Sequence, residues 1–169
     1  DGRFEARIGE VTLSPTDEGG VRVDWPEEVP FTFEVAEDGE RLEVGLTMTT
    51  EDALQEITGD AQAYDTVWSA ETLSFTLTDL AVDGEPMPED AASGTVTIEA
   101  PRSESTTRVG AQLTEIAQTV SAGALRYDIA VDAPDEPMSF SLSGEMRGLS
   151  GEGESAMPEG EMDDPLFSA

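Results

Sequence analysis

Carboxylates are the chemically active side chains that this chain has in quantity. The 169 residues include 38 Asp and Glu and eight Arg, but no His, Cys, Lys or Asn. A serine nucleophile therefore lacks a histidine base, and neither a thiolate nor a lysine Schiff base can form. The nitrogen and sulfur ligands that zinc prefers are also missing. These absences exclude most enzyme mechanisms, and we predict no catalytic residue.

Adjacent carboxylates are the remaining arrangement with catalytic meaning. Glycosidases use two carboxyl groups about 5 to 10 Å apart as acid and base, or as acid and nucleophile. The candidate pairs are Asp17-Glu18, Glu27-Glu28, Glu89-Asp90, Asp135-Glu136 and Asp163-Asp164. Chance adjacency is expected in so acidic a chain, and a catalytic acid also needs burial that raises its pKa. We interpret the pairs as solvated loop charges and keep a carboxylate-dependent glycan hydrolase as the alternative function.

Acidic loops are also where a hard cation such as calcium binds, because calcium takes several oxygen ligands. The loops around Asp17, Asp38, Asp83 and Asp135 supply such oxygens. None of them follows the pattern of an EF-hand loop, and no repeated glycine–aspartate calcium motif occurs. We therefore expect no metal and no other cofactor.

The net charge of −30 is spread along the chain. Nucleic acid is excluded as a partner because every phosphate would meet repulsion, and anionic lipid headgroups are disfavoured for the same reason. Repulsion among carboxylates destabilises a compact state, and salt screens it. We interpret the acidity as a mark of a halotolerant protein from a saline habitat. An acidic surface for cations or for a basic partner is the alternative.

Bulky aromatic residues are the best candidates for holding a ligand by its apolar surface. Trp25 stands out because Pro26 and two Glu residues follow it, as at the surface end of a strand. The other candidate binding residues are Trp68, Tyr64, Tyr127, Phe75 and Phe140. Ordinary packing in a core or at a strand edge is the alternative for each.

Alternation of apolar and polar residues must provide the elements that position these side chains. Phe31, Phe33 and Val35 alternate with polar residues, and Asp38-Gly39 suits the hairpin turn that follows. The same alternation recurs at Leu42–Met48, Leu73–Leu77, Val96–Ala100, Leu125–Val131 and Met138–Leu142. Strands with one apolar face and short turns predict antiparallel pairing, since buried parallel strands are continuously apolar.

One segment departs from alternation. Its apolar residues are spaced by three and four, at Val109, Leu113, Ile116, Ala117 and Val120. This spacing predicts a short amphipathic helix near residues 109–122 that packs on the sheet and ends at Gly123. A weaker helical turn is suggested from Glu51 to Thr58, with Gly59 as its end.

The domain organisation follows from where periodicity stops. We predict one antiparallel β domain over residues 1–149 and a flexible acidic linker or tail over 150–169, where Gly, Glu, Ser, Pro and Asp dominate. No stretch approaches the roughly 18 apolar residues of a membrane-spanning helix. The chain has no starting Met or signal peptide and opens in a predicted strand, so we expect a processed or trimmed piece of a longer protein.

Short phrases of sequence carry a family resemblance. They are Tyr64-Asp65, the stretch Ser121–Asp128, Phe140–Gly144 and Gly148–Gly151. With them, residues 1–155 resemble a family of uncharacterised exported alphaproteobacterial proteins, a domain of unknown function. The resemblance implies a longer precursor with a signal peptide and a periplasmic location, and it assigns no catalytic residue.

These patterns predict a mainly β protein. Its core element is a single curved antiparallel sheet, arranged as a meander, half-barrel or partly closed barrel, with the short helix packed on it. Such a sheet has an apolar face that needs a cover, which favours a non-catalytic periplasmic binding or envelope-associated module. Its partner would be a small apolar ligand or another envelope protein. The glycan hydrolase alternative needs two acidic residues that face inward beside a pocket.

Overall fold

The computed structural model describes residues 2–37, 40–88, 91–111, 113–133 and 138–158, and its regular structure there is entirely β-strand. The alternating segments, rich in Val, Thr and Phe, form strands because such side chains fit a pleated, half-exposed surface. The strands are β1 (Gly2–Ala6), β2 (Thr12–Pro15), β3 (Val21–Asp24), β4 (Glu28–Glu37), β5 (Glu40–Glu51), β6 (Leu54–Gly59), β7 (Ala63–Ser69), β8 (Thr72–Val82), β9 (Glu85–Pro86), β10 (Ala92–Glu99), β11 (Arg102–Val109), β12 (Leu113–Ala133) and β13 (Met138–Pro158).

All of these strands belong to one antiparallel sheet that does not close into a barrel. The shorter strands join end to end into long bent ones, so the chain follows a meander of β1–β2, β3–β4, β5–β6, β7–β8, β10–β11, β12 and β13. Each long strand pairs with the next one along the chain, and β9 adds a small extension beside β8. The prediction of a single antiparallel sheet is therefore confirmed.

A seam crosses the sheet at the level where the long strands bend. On one side of it Glu51, Thr72, Glu99 and Ala124 stand opposite one another in neighbouring strands. On the other side Leu54, Ser69, Arg102 and Ser121 do the same. We call the part that contains β1, β4, β5, β8 and β10 the lower half, and the part that contains β2, β3, β6, β7 and β11 the upper half. Strands β12 and β13 run through both.

Backbone conformation explains the bend at the seam. Asp52, Ala100 and Gly148 have φ angles of 50°, 46° and 61°, which an extended strand does not adopt. Hydrogen bonds still tie the bent strands together, since Ala100 N donates to Glu71 O at 2.8 Å. The sheet therefore changes direction at the seam without separating into two sheets.

The sheet is a single layer. Every substantial contact between strands of the described residues joins hydrogen-bonded neighbours, so no second layer packs on either face. The chain exposes 12102 Å², about one and a half times the roughly 8,000 Å² expected for a compact protein of 18 kDa. The buried apolar residues of the described part are Val23, Val29, Ala70, Ala91 and Ala124. The described part of the chain therefore has no core between two layers, although domains ordinarily bury apolar faces that way.

The predicted helix near residues 109–122 is wrong. Val109 ends β11, and Leu113 begins a strand that continues to Ala133. The three-and-four spacing has two causes. The segment includes the connection between β11 and β12, and β12 carries apolar residues on both faces. Ile116 and Val120 lie on one face and Ala117 on the other, since successive side chains of a strand alternate.

Two other sequence-based expectations also differ from the structure. The weak helical turn predicted for Glu51 to Thr58 is the end of β5 followed by β6. The flexible tail predicted from residue 150 begins as strand, because β13 extends to Pro158, and residues 159–169 lie outside the described residues. The turn predicted at Asp38-Gly39 also lies outside them, although β4 and β5 pair on either side of it.

The hairpin between β6 and β7 is closed by a carboxylate. Asp60 Oδ1 accepts hydrogen bonds from the backbone N–H of Gln62 at 2.8 Å and of Ala63 at 3.0 Å. These two hydrogen bonds hold the pKa of Asp60 below its ordinary value of 3.8. A lowered pKa in the folded state means that the carboxylate stabilises the fold at neutral pH.

Replacing Asp60 by Ala should therefore lower stability at pH 7. The loss should persist down to about pH 3.8 and then shrink as the pH falls through the lower pKa of the folded protein, because the wild-type carboxyl becomes protonated there. Urea midpoints of both proteins from pH 7 to pH 3 measure this difference. A difference that does not change with pH would show that the carboxylate charge plays no part in closing the turn.

Candidate functional site

A continuous apolar surface covers one face of the lower half of the sheet. Residues opposite each other in an antiparallel pair lie on the same face, so the strand register defines rows of side chains. One row runs across the sheet through Val29, Met48, Phe75, Val96, Tyr127 and Gly144. The next runs through Thr50, Leu73, Ile98, Leu125 and Met146. We call this surface, from Phe4 in β1 to Met146 in β13, the apolar face.

The apolar face is open to solvent. At the β13 side Phe140, Leu142 and Met146 are 50%, 53% and 48% exposed. At the β1 side Phe4 is 57% exposed, and its ring lies 5.0 Å from that of Phe33. Exposed apolar patches of this extent are rare on monomeric proteins and mark interaction or ligand-binding surfaces.

The opposite face of the same half is polar. The row Thr47, Thr76, Thr95, Asp128 and Ser143 crosses it without an apolar side chain. Arg126 makes ion pairs with Glu99 and with Glu145, and Arg147 also pairs with Glu145. The hydrogen bond from Arg147 holds the pKa of Glu145 below its ordinary value. The contrast between the two faces shows that large apolar side chains in this half of the sheet are concentrated on one face.

The two tryptophans meet at the seam, in what we call the seam pocket. This pocket has a volume of about 250 Å³ and is lined by Trp25, Pro26, Val29, Met48, Thr50, Ala53, Gln55 and Trp68. The indole N–H of Trp25 donates to Gln55 Oε1 at 2.6 Å, which fixes the orientation of that ring. Since Met48 belongs to the lower half and Trp68 to the upper half, the pocket joins the apolar face to the upper half across the bend. The volume suits part of a ligand, because whole ligands occupy about 300 to 1,000 Å³.

The structure brings most of the sequence-predicted binding residues onto one surface. Phe75, Tyr127 and Phe140 lie on the apolar face, and Trp25 and Trp68 line the seam pocket beside it. The Tyr127 ring covers the backbone of Gly144, where an added Cβ would lie 2.4 Å from the hydroxyl oxygen. Tyr64 is separate, because it lies at the far end of β7 opposite Thr107.

Sequence reasoning missed the residues at the two margins of this surface. Phe4, Phe33, Leu142 and Met146 are large, apolar and exposed on it. The sequence shows that they alternate with polar residues. This alternation predicts buried side chains if a helix is expected to cover the apolar side of the sheet. The number of strands with one apolar side could have identified them, because a single short helix cannot cover so many strands and the outermost side chains must stay exposed.

Carboxylates of the upper half line a separate shallow groove. Asp65, Glu104, Glu152 and Glu154 approach one another there, in a volume of about 790 Å³. All four side chains are exposed, and Thr106 donates its hydroxyl to Asp65 at 2.6 Å. Exposure leaves such a carboxylate without the desolvation that a catalytic acid requires. The geometry of this groove therefore gives no support to glycan hydrolysis.

The two sequence-predicted acidic pairs that lie within the described residues are not assembled into a site. Asp17-Glu18 and Glu27-Glu28 lie in exposed connections or at a strand start. The pairs at 89–90, 135–136 and 163–164, like the loop residues Asp38 and Asp135, lie outside the described residues. Among the residues that are described, no group of three acidic side chains is arranged to hold a metal ion.

The excess of carboxylates predicts a response to salt. Seven of the eight Arg residues, all but Arg108, make ion pairs in the described part of the chain, so most of the 38 acidic residues have no cation beside them. Sodium chloride up to about 1 M should raise the melting temperature, because screening relieves their repulsion. Calcium chloride at matched ionic strength should raise it no further. A melting temperature that stays constant or falls as sodium chloride is added would contradict the repulsion. A saturable rise of the melting temperature with calcium would reveal a specific cation site.

The described residues include no helix of the length and apolarity needed to cross a membrane. Comparisons of the chain with protein families, curated proteins and solved structures gave no match.

Proposed function

We propose that this protein is a non-catalytic binding module that holds an apolar ligand on the apolar face of its open sheet. The observation that carries the proposal is the row structure of that face, which is apolar across the sheet from β1 to β13 and lacks a covering layer among the described residues. The seam pocket supplies a more enclosed end, where two indole rings can pack against part of the ligand.

Energetics support an occupant for this face. A large apolar side chain gains about 1.5 to 3 kcal/mol when it passes from water to an apolar contact. Since the exposed side chains are already about half covered, covering the remainder of four of them would contribute about 3 to 6 kcal/mol, which is comparable with the lower end of the net stability of a small domain. A ligand that covers the face is thus thermodynamically coupled to the fold, and binding should raise the melting temperature.

A non-catalytic role fits the chemistry of the chain. Binding to an apolar surface needs neither a nucleophile nor a proton shuttle, and His, Cys and Lys are missing from the sequence. In the rows described above, the side chains that face the ligand are those of Phe, Leu, Ile, Val and Met, together with Tyr127 and Thr50. We further propose a periplasmic location, which rests on the resemblance to exported proteins. An envelope protein is the alternative occupant of the same face.

The tryptophans of the seam pocket provide the test. A fatty acid brominated along its chain quenches indole fluorescence on contact, and it should quench this protein with a saturable dose dependence. Quenching should fall by about half in each of Trp25→Phe and Trp68→Phe if both rings contact the ligand. Bromopropionate, which is short and water-soluble, should quench far less at the same concentration. Equal quenching by the two compounds would contradict the proposal.

Native mass spectrometry provides an independent test of the same proposal. The protein purified under mild conditions should carry an apolar adduct that extraction with organic solvent removes. Hydrolysis of a glycan panel that disappears when one acidic residue is replaced by its amide would overturn the non-catalytic role.

A further inference from the structure

Strand β13 forms one margin of the sheet. This strand of 21 residues pairs along its length with β12, while β10 and β11 together occupy the other side of β12. The second side of β13 has no partner strand within the described residues. At about 3.3 Å per residue this margin presents about 70 Å of backbone N–H and C=O groups.

The two margins of the sheet differ in how they discourage pairing. The opposite margin consists of two short strands, β1 with 5 residues and β2 with 4, and β2 ends at Pro15. Short strands, interruptions and proline are the usual protection of a sheet edge. Between Ser139 and Met157 the β13 margin has no proline and no lysine, and its strand is interrupted only by the bend at Gly148. This margin therefore lacks proline and short strands, and its protection against pairing comes from the bend and from charged side chains such as Glu152 and Glu154.

The side chains along β13 define what a further strand would look like. Phe140, Leu142 and Met146 extend the apolar face to this margin, and Ser141, Ser143 and Glu145 extend the polar face. A strand added to β13 continues both faces only if its own residues alternate between apolar and polar. Main-chain hydrogen bonds would supply affinity, and the alternation would supply specificity, as in other cases of strand addition.

Charge decides which strand fits best. Glu152 and Glu154 lie in the part of β13 that belongs to the upper half, they are exposed, and neither makes an ion pair with a described residue. They stand beside Asp65 and Glu104 in the acidic groove of the upper half. A second copy of this chain would bring another net charge of −30 to this margin. Cationic side chains complement it instead.

We propose that β13 is a docking edge for a cationic β-strand of a partner protein. The partner segment is extended, alternates apolar with polar residues, and carries Lys or Arg opposite Glu152 and Glu154. It adds a strand to the sheet and so lengthens the apolar face in the lower half and neutralises carboxylates in the upper half.

A fluorescein-labelled synthetic peptide of ten residues, with Val alternating with Lys or Thr, is the probe. It should bind the full chain in an anisotropy titration and slow hydrogen exchange of those β13 amides that do not bond to β12. The same peptide with N-methylated backbone amides keeps its charge but cannot form a ladder, and it should bind at least about tenfold more weakly. A peptide with Glu in place of Lys should not bind.

Matched variants of the protein test the charge argument. Glu152→Gln combined with Glu154→Gln should weaken peptide binding about three- to tenfold, the effect expected of two exposed ion pairs. Asp17→Asn combined with Glu56→Gln removes two exposed carboxylates elsewhere and should change binding less than about twofold. Both double variants should keep the quenching by brominated fatty acid, which separates this proposal from ligand binding on the apolar face.

Three outcomes would overturn the proposed partner. The first is equal binding of the N-methylated peptide, and the second is protection that appears in strands other than β13. The third is a free protein in which the β13 amides that do not bond to β12 are already protected. If sedimentation shows that protein to be a dimer, the occupant is a second copy, and if it is a monomer, the chain covers its own edge.

Discussion

Replacing Phe75 by Ala should weaken the retention of an apolar ligand about tenfold while the sheet stays folded. Phe75 lies in the middle of the row that runs from Val29 to Gly144, with Met48 on one side and Val96 on the other. Its ring is half-buried by these neighbours and leaves the rest of its surface for the ligand. Removing that contact forfeits about 1 to 2 kcal/mol, which corresponds to roughly five- to thirtyfold in affinity. Titration with an apolar fluorescent dye measures the change.

Truncation away from the apolar face is the control for this result. Val67 lies in the upper half beside the acidic groove, so Val67→Ala removes an apolar side chain that does not meet the ligand. It should lower the urea midpoint slightly and leave dye affinity within about twofold. If Phe75→Ala lowers stability but leaves dye affinity unchanged, Phe75 belongs to a filled core, and the proposed site is wrong.

Replacing Gly59 by Ala should cause a large loss of stability. Gly59 ends β6 with a φ of 116°, a conformation that other residues rarely adopt, and a Cβ added there would lie 2.3 Å from Ala63 O. Backbone strain and displacement of the hairpin together should cost about 3 kcal/mol. For a chain of this length that corresponds to a fall of about 10 °C in melting temperature.

Gly153 provides the matched comparison. It lies in β13 with no atom within 4 Å of an added Cβ, so Gly153→Ala should change stability by less than about 0.5 kcal/mol. Thermal melts followed by circular dichroism compare the two variants. Similar melting temperatures for Gly59→Ala and Gly153→Ala would mean that the β6–β7 hairpin does not hold the conformation described here.

The strands could be predicted from sequence because each lower-half strand is apolar on one side only. The alternation of Phe31, Phe33 and Val35 with polar residues predicts β4, and antiparallel pairing follows from the short turns. Near Ile116 the same reasoning failed, since an exposed strand with apolar residues on both faces mimics the spacing of a helix. The spacing of apolar residues distinguishes a strand from a helix only where one face of the element is buried and the other is exposed.

The candidate site could be predicted only in part. Aromatic character singled out Trp25, Trp68, Phe75 and Phe140, but no sequence signal states which strands lie side by side. The seam pocket depends on register, which places Trp68 opposite Gln55, and on the bend that turns both toward Met48. Bends of this kind come from single residues with positive φ, such as Ala100. Alanine rarely adopts this conformation, so its presence in the sequence does not predict a bend.

The meander has a consequence for how the molecule acquires its shape. Each long strand finds its partner in the segment just before or just after it, so no pairing requires distant parts of the chain to meet. Such local topology lowers the entropy of loop closure and favours rapid folding by addition of successive hairpins. Stability then accumulates strand by strand, as in a linear repeat array, and loss of a marginal strand leaves the interior pairings intact.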